Sequence, residues 1–139
     1  MAGPSSDPLA AIKVTFFQEC EEQLAELESG LLALEAGEAD PDTVHAVFRA
    51  AHSIKGGAGA FSLEELVRFA HVFETAMDRL RSGDLAPEPD ILKVMLLSAD
   101  VLADHVRAAR DGGTVDEGRT AAMAAALAGL GLTSAAAPA

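Results

Sequence analysis

Phe61-Ser-Leu-Glu-Glu-Leu-Val-Arg-Phe-Ala-His-Val-Phe-Glu-Thr-Ala-Met-Asp-Arg-Leu-Arg-Ser-Gly83 is the stretch on which the fold turns. Ser62 and Glu65 have the spacing of a capping box, and Phe61 and Leu66 that of a hydrophobic staple. Apolar residues then recur at Leu63, Leu66, Ala70, Phe73, Met77 and Leu80. Steps of three and four put them on one face of an α-helix, and Gly83 stops it.

The same grammar extends in both directions. Upstream, Asp40-Pro41 sets a capping residue before a proline at the first helical position. A stripe of Val44, Val47, Phe48, Ala51, Ile54 and Ala58 follows. Further upstream, Asp7-Pro8 repeats the signal before Leu9, Ile12, Phe16, Cys20, Leu24, Leu27, Leu31 and Leu34, and Gly37 ends that helix. Downstream, a connection from Asp84 to Pro89 leads to Leu92, Met95, Ala99, Leu102, Val106 and Ala109, ended by Gly112-Gly113. Thr114 and Glu117 then read as a capping box for a shorter helix through about Leu130. Four long amphipathic helices with short connections predict an all-α protein. Its expected form is an antiparallel up-down four-helix bundle with a fifth short C-terminal helix. Residues 1–6 read as a flexible N-terminus, 7–131 as one domain and 132–139 as the start of an interdomain linker.

Composition narrows the function. The chain has 139 residues, with Lys+Arg 10 against Asp+Glu 22 and a formal net charge of -12. That balance disfavours nucleic acid and anionic membrane surfaces as partners. Hydrophobic residues are 50%, but aromatics only 4% and all Phe, so the core must be aliphatic. The single cysteine, Cys20, rules out an internal disulfide framework. No secretory signal is visible at the N-terminus, and a cytoplasmic location is expected. Thr120 to Ala139 carries no charge, yet Ala, Gly, Ser and Thr dominate it, so it reads as a short helix and linker rather than a membrane span.

One segment exceeds what a bundle needs: His52-Ser-Ile-Lys55-Gly56-Gly57-Ala-Gly59-Ala-Phe61. Glycine in a helix costs about 1 kcal/mol relative to alanine. Either the glycines end the helix early, or a surface there must be bare. At about 100° per residue, His52 falls beside the apolar stripe, and Gly56, Gly59, His45 and Phe48 lie within about 40° of it. On the next helix His71 and Glu74 are neighbours on one face. Counting from the turn at Phe61, Glu74 and His52 come to comparable heights. Spacing leaves two readings of Glu74 open. It accepts one imidazole N–H and leaves the other nitrogen as a nucleophile, or it is an ordinary solvated helix residue. Lys55, one turn after His52, is either a partner for phosphoryl oxygens or a surface lysine.

Phe48-Arg-Ala-Ala-His52-Ser-Ile-Lys55-Gly-Gly-Ala-Gly-Ala-Phe61 resembles the phosphoacceptor motif of the histidine phosphotransfer (HPt) domain of CheA-type chemotaxis histidine kinases. The resemblance covers about residues 7–131. It implies that His52 is phosphorylated, that Glu74 orients its imidazole, and that Lys55 and His71 are the accompanying lysine and second histidine. It also implies two partners. An ATP-binding kinase catalytic domain loads His52, and a CheY- or CheB-like receiver takes the phosphoryl group onto an aspartate. His45, Phe48, Arg49, Gly56 and Gly59 would form the receiver-docking face. The chain has no glycine-rich phosphate loop and no Walker lysine. No cofactor is therefore expected in this domain, ATP and Mg2+ being supplied by the kinase and the receiver.

Charge supports a local site. The first helix carries Glu19, Glu21, Glu22, Glu26 and Glu28 against Lys13, whereas Arg49, Lys55 and Arg68 gather near the motif. Three other readings compete. A stand-alone or hybrid-kinase phosphorelay shuttle would share the motif. A metal-carboxylate bundle needs Glu-x-x-His on two helices, and Asp42-x-x-His45 is the nearest approach, although His52, His71 and Glu74 could bind zinc adventitiously. A purely structural bundle leaves the glycines unexplained.

Overall fold

The computed structural model describes residues 8–38 and 40–131. Among them are five helices and no strand: α1 (Pro8–Glu35), α2 (Pro41–Ala60), α3 (Glu64–Arg81), α4 (Pro89–Asp111) and α5 (Glu117–Ala128). The expected cap at Asp7, the flexible N-terminus 1–6 and the linker 132–139 lie outside the described residues.

Proline opens α1, α2 and α4, where a missing N–H costs nothing. Asp40 caps α2, its Oδ1 accepting from the Asp42 N–H at 3.0 Å. Gly112 closes α4 in the left-handed region at φ 73°. Two expected caps differ from the structure. α2 runs through all three glycines to Ala60, so Ser62 is consumed by its end. The Ser62 N–H donates to the Gly59 carbonyl at 3.1 Å and the Leu63 N–H to the Ala58 carbonyl at 3.0 Å. This is a Schellman motif with Ser62 at its left-handed position, φ 57°. α3 therefore begins after Leu63, with no side-chain cap. Similarly, α5 is capped by Asp116 rather than Thr114, because the Asp116 carboxylate accepts the Arg119 N–H at 2.9 Å. With Glu117 as the first helical residue, the expected Thr114–Glu117 box does not form.

The helices pack as a closed ring, α1 on α2, α2 on α3, α3 on α4 and α4 on α1, with α5 across α3 and α4. Registers show the directions. Phe16 and Gly30 of α1 lie against Gly57 and Val47 of α2. His52 and Phe48 of α2 meet Glu74 and Arg81 of α3. Rising numbers on one helix match falling numbers on its neighbour, so both pairs are antiparallel. The core is aliphatic with six buried or half-buried Phe side chains set among Leu, Ile, Val and Met. Phe73, Leu27, Leu31, Ile54, Met77 and Leu102 are essentially inaccessible. Each such side chain contributes about 1.5–3 kcal/mol through burial. Cys20 belongs to this interior, and burial, with Glu19 and Glu21 adding to it, pushes its thiol up to about 12. No helix among the described residues is long and apolar enough to cross a membrane.

The three motif glycines do different work. A Cβ at Gly57 would stand 2.4 Å from Phe16 Cε1, so Gly57 lets α1 and α2 approach. Gly30, on the other side of the same interface, would meet Val47 Cγ2 at 2.5 Å. Gly56 and Gly59 have nothing within 4 Å and leave bare helix on the surface.

Candidate functional site

The short connection from α2 to α3 folds the two helices back on each other and brings His52, Lys55 and Glu74 together. The glutamate is the centre. Glu74 is only 7% exposed, buried between the helices although it carries a charge. One carboxylate oxygen, Oε2, accepts a hydrogen bond from His52 Nδ1. The other, Oε1, accepts from Lys55 Nζ at 2.5 Å. Burial by itself would raise the Glu74 pKa, but the hydrogen bonds from Lys55 and His52 outweigh it and hold the carboxyl below its ordinary value. Of its two readings, the solvated surface residue is thereby set aside.

An ionised carboxylate can only accept, so the proton of the neutral imidazole sits on Nδ1. Nε2 then carries the free lone pair. The His52 side chain is 62% exposed, so that nitrogen is open to an incoming group. Lys55 is more enclosed than His52 and lies one turn further on the same helix. His71 is exposed, its Nδ1 3.7 Å from Glu74 Oε1. That is within ion-pairing range but too long for a hydrogen bond, so Lys55 rather than His71 holds that oxygen.

The remaining expected residues line the same face of α2. His45 stacks on Phe48 with centroids 6.2 Å apart, and Phe48 stacks on His52 at 6.1 Å. Arg49 is exposed, as are the bare positions Gly56 and Gly59. Arg81, at the end of α3, lays its guanidinium over the Phe48 ring, 4.0 Å from the centroid. No sequence signal singled out Arg81, because its partner is 33 positions away on another helix.

No periodicity or motif points to the fourth histidine. His105 is buried on α4, stacked on Phe69 of α3 at 5.4 Å, with Nε2 3.1 Å from the Thr120 hydroxyl of α5. Burial lowers its pKa. Among the described residues, no group of three or more His, Cys, Asp or Glu side chains is arranged to hold a metal ion.

The arrangement suits one kind of chemistry. An exposed imidazole nitrogen with its tautomer fixed is a nucleophile, and the carboxylate behind it stabilises the positive charge that grows on the ring as that nitrogen attacks. The Hpt domain family matches residues 11–112. The chain is 72% identical over 109 residues to the chemotaxis protein CheA of Rhizobium meliloti, covering 78% of this chain and 14% of that protein. It is 47% identical over 124 residues to the chemotaxis protein CheA of Cereibacter sphaeroides, covering 85% and 18%. The chain thus spans less than a fifth of either relative. The phosphorylated P1 domain of CheA3 in complex with CheY6 from R. sphaeroides superposes with a TM-score of 0.70 at 25% identity, over 83% of this chain and 94% of that one.

Proposed function

Because the chain belongs to the Hpt domain family, we propose that it is the phosphoacceptor and phosphodonor module of a CheA-type chemotaxis histidine kinase. Residues 7–131 are the module, and 132–139 lead into the rest of a longer cytoplasmic protein. A kinase catalytic domain presents ATP. Nε2 of His52 attacks the γ-phosphorus, an N–P bond forms, the bond to the bridging oxygen breaks, and ADP leaves. Glu74 keeps the Nδ1 proton in place and offsets the positive charge on the ring. The receiver reverses the step at nitrogen: an aspartate oxygen attacks phosphorus, the N–P bond breaks, and the electron pair returns to Nε2. ATP and Mg2+ belong to the kinase and the receiver, so the domain itself supplies position and electrostatics.

The observation that carries this reading is the hydrogen bond from the exposed His52 imidazole to the buried Glu74 carboxylate. Bare backbone at Gly56 and Gly59 supports it by leaving a receiver room to approach along the same face. The test is labelling from γ-labelled ATP by a CheA catalytic domain. His52→Gln is expected to abolish an acid-labile label while the helical spectrum is retained. A label that survives on the His52→Gln chain, or that resists acid, overturns the assignment.

A further inference from the structure

His52 is held at one atom only by hydrogen bonding. A ring that is 62% exposed, with a single bond at Nδ1, can still swing about that bond and about its own χ2. A flat partner against its face would remove the swing. Phe48 is that partner, one turn earlier on α2, its ring nearly parallel to the imidazole at 14° and 6.1 Å between centroids, within the range of offset stacking.

Phe48 is itself held from across the helix interface. The Arg81 guanidinium lies 4.0 Å from its centroid, in the geometry of a cation–π contact. Arg81 is aimed in turn by Asp78, whose Oδ1 accepts from Nη2 at 2.5 Å. Asp78 and Arg81 follow Glu74 at four and seven positions, so all three share one stripe of α3. The stripe thus reaches the histidine twice, directly through Glu74 and indirectly through Arg81 and Phe48.

We propose that Arg81 is a positioning residue for the phosphoacceptor: its guanidinium presses Phe48 against the imidazole of His52 and keeps that ring in the plane where Nδ1 meets Glu74. This rests on the reading of His52 as the phosphoacceptor, but it can be tested apart from it. The ratio of Nδ1–H to Nε2–H tautomers of His52 is read on the 139-residue chain by long-range 15N–1H correlation, near pH 8.5, above the ordinary imidazole range of about 6.5. Arg81→Met and Phe48→Leu are expected to lower the ratio about two- to fivefold, the strength of a partly exposed cation–π contact. Arg81→Lys, which keeps the charge but not the flat stack, should fall between. Thermal unfolding checks that each variant is folded, and Arg81→Lys serves if Arg81→Met is not.

With the kinase catalytic domain and ATP, the same variants should lower kcat by a similar factor and leave KM alone. An unchanged tautomer ratio overturns the proposal. A raised KM with ratio and kcat unchanged also overturns it, making Arg81 and Phe48 a docking pair. If wild type takes no phosphoryl group, the phosphoacceptor reading fails, and the tautomer ratio still decides for or against positioning.

Discussion

Gly57 and Phe16 meet across the α1–α2 interface so closely that a methyl at position 57 would stand 2.4 Å from Cε1 and 2.6 Å from Cδ1 of the ring. Phe16 also packs on Phe61, with centroids 5.3 Å apart, so the ring has little room to retreat. Gly57→Ala is expected to destabilise the domain by about 1–3 kcal/mol, seen as a lower urea midpoint with an unchanged slope. Gly56→Ala is expected to do the opposite, gaining at most about 1 kcal/mol from better helix propensity. Equal shifts for the two would show that α1 yields to the added methyl.

Gly59 has open space where a side chain would stand. Gly59→Leu should leave loading of His52 and the folded spectrum intact. On the proposed docking face, transfer to the receiver is expected to slow about tenfold, equivalent to about 1.4 kcal/mol, because the added side chain would obstruct an approaching receiver. Stopped-flow or rapid-quench transfer assays measure this. An unaltered transfer rate would move the docking face elsewhere.

Glu74 has its carboxyl pKa lowered in the fold. A lowered carboxyl contributes stability that is present above its unfolded value, about 4.3, and lost as pH falls through the folded value. Wild type should therefore lose stability more steeply than Glu74→Gln as the pH drops below about 5, in denaturant titrations at successive pH values. In the kinase assay Glu74→Ala is expected to reduce the phosphorylation rate about 10- to 100-fold, the value of one charge-assisted hydrogen bond. Parallel acid profiles for wild type and Glu74→Gln would contradict the ionised state.

His105 gives a second pH dependence at higher pH. Burial lowers its pKa, only partly opposed by the charges of Glu65 and Asp104, so the fold favours the neutral ring. The stabilisation is present above the ordinary value of about 6.5 and is lost as pH falls through the lower folded value. Since the ring bonds Thr120, amide exchange in α5 should accelerate on acidification before exchange in α2 does. His105→Gln should flatten that difference. Uniform acceleration across all helices would argue against a local opening.

Ser62 occupies the left-handed region without being glycine, at φ 57°. Ser62→Gly should relieve about 1 kcal/mol of strain and raise the unfolding temperature by a few degrees in calorimetry. Were Ser62 instead an ordinary N-cap, the same change would leave stability unchanged or lower.

Helix starts and stops were legible where one residue acts on its own neighbours. Pro8, Pro41, Pro89 and Gly112 stand where local chemistry puts them. The readings of Ser62 and Thr114 failed because a cap motif is a statement about backbone geometry, and the end of the preceding helix or a better-placed Asp116 took precedence. The pairing of His52 with Glu74 could be reached by counting from the turn. The burial of Glu74, the separate roles of Gly56 and Gly57, and the contact of Arg81 with Phe48 could not. Each depends on which helix face a neighbour covers, and periodicity fixes the face but not the neighbour. His105 escaped notice for the same reason: Phe69 of α3 and Thr120 of α5, both distant in sequence, enclose it.

The Schellman turn at 61–63 has a bearing on how this site can change over time. The hydrogen-bond, ion-pair and ring partners of His52, Glu74 and Phe48 fall between positions 45 and 81, on one hairpin whose two arms are phased by three residues. Deleting or inserting one residue there would rotate α3 by about 100° and carry Glu74 off the histidine. Length variation at this connection is therefore expected to break the site, whereas 82–88, which phases no part of it, should tolerate it. The hairpin behaves as a heritable cassette: a contiguous span of gene that can be moved between bundles with its reactive geometry intact, provided the recipient offers a ring like Phe16 for Gly57 to lie against.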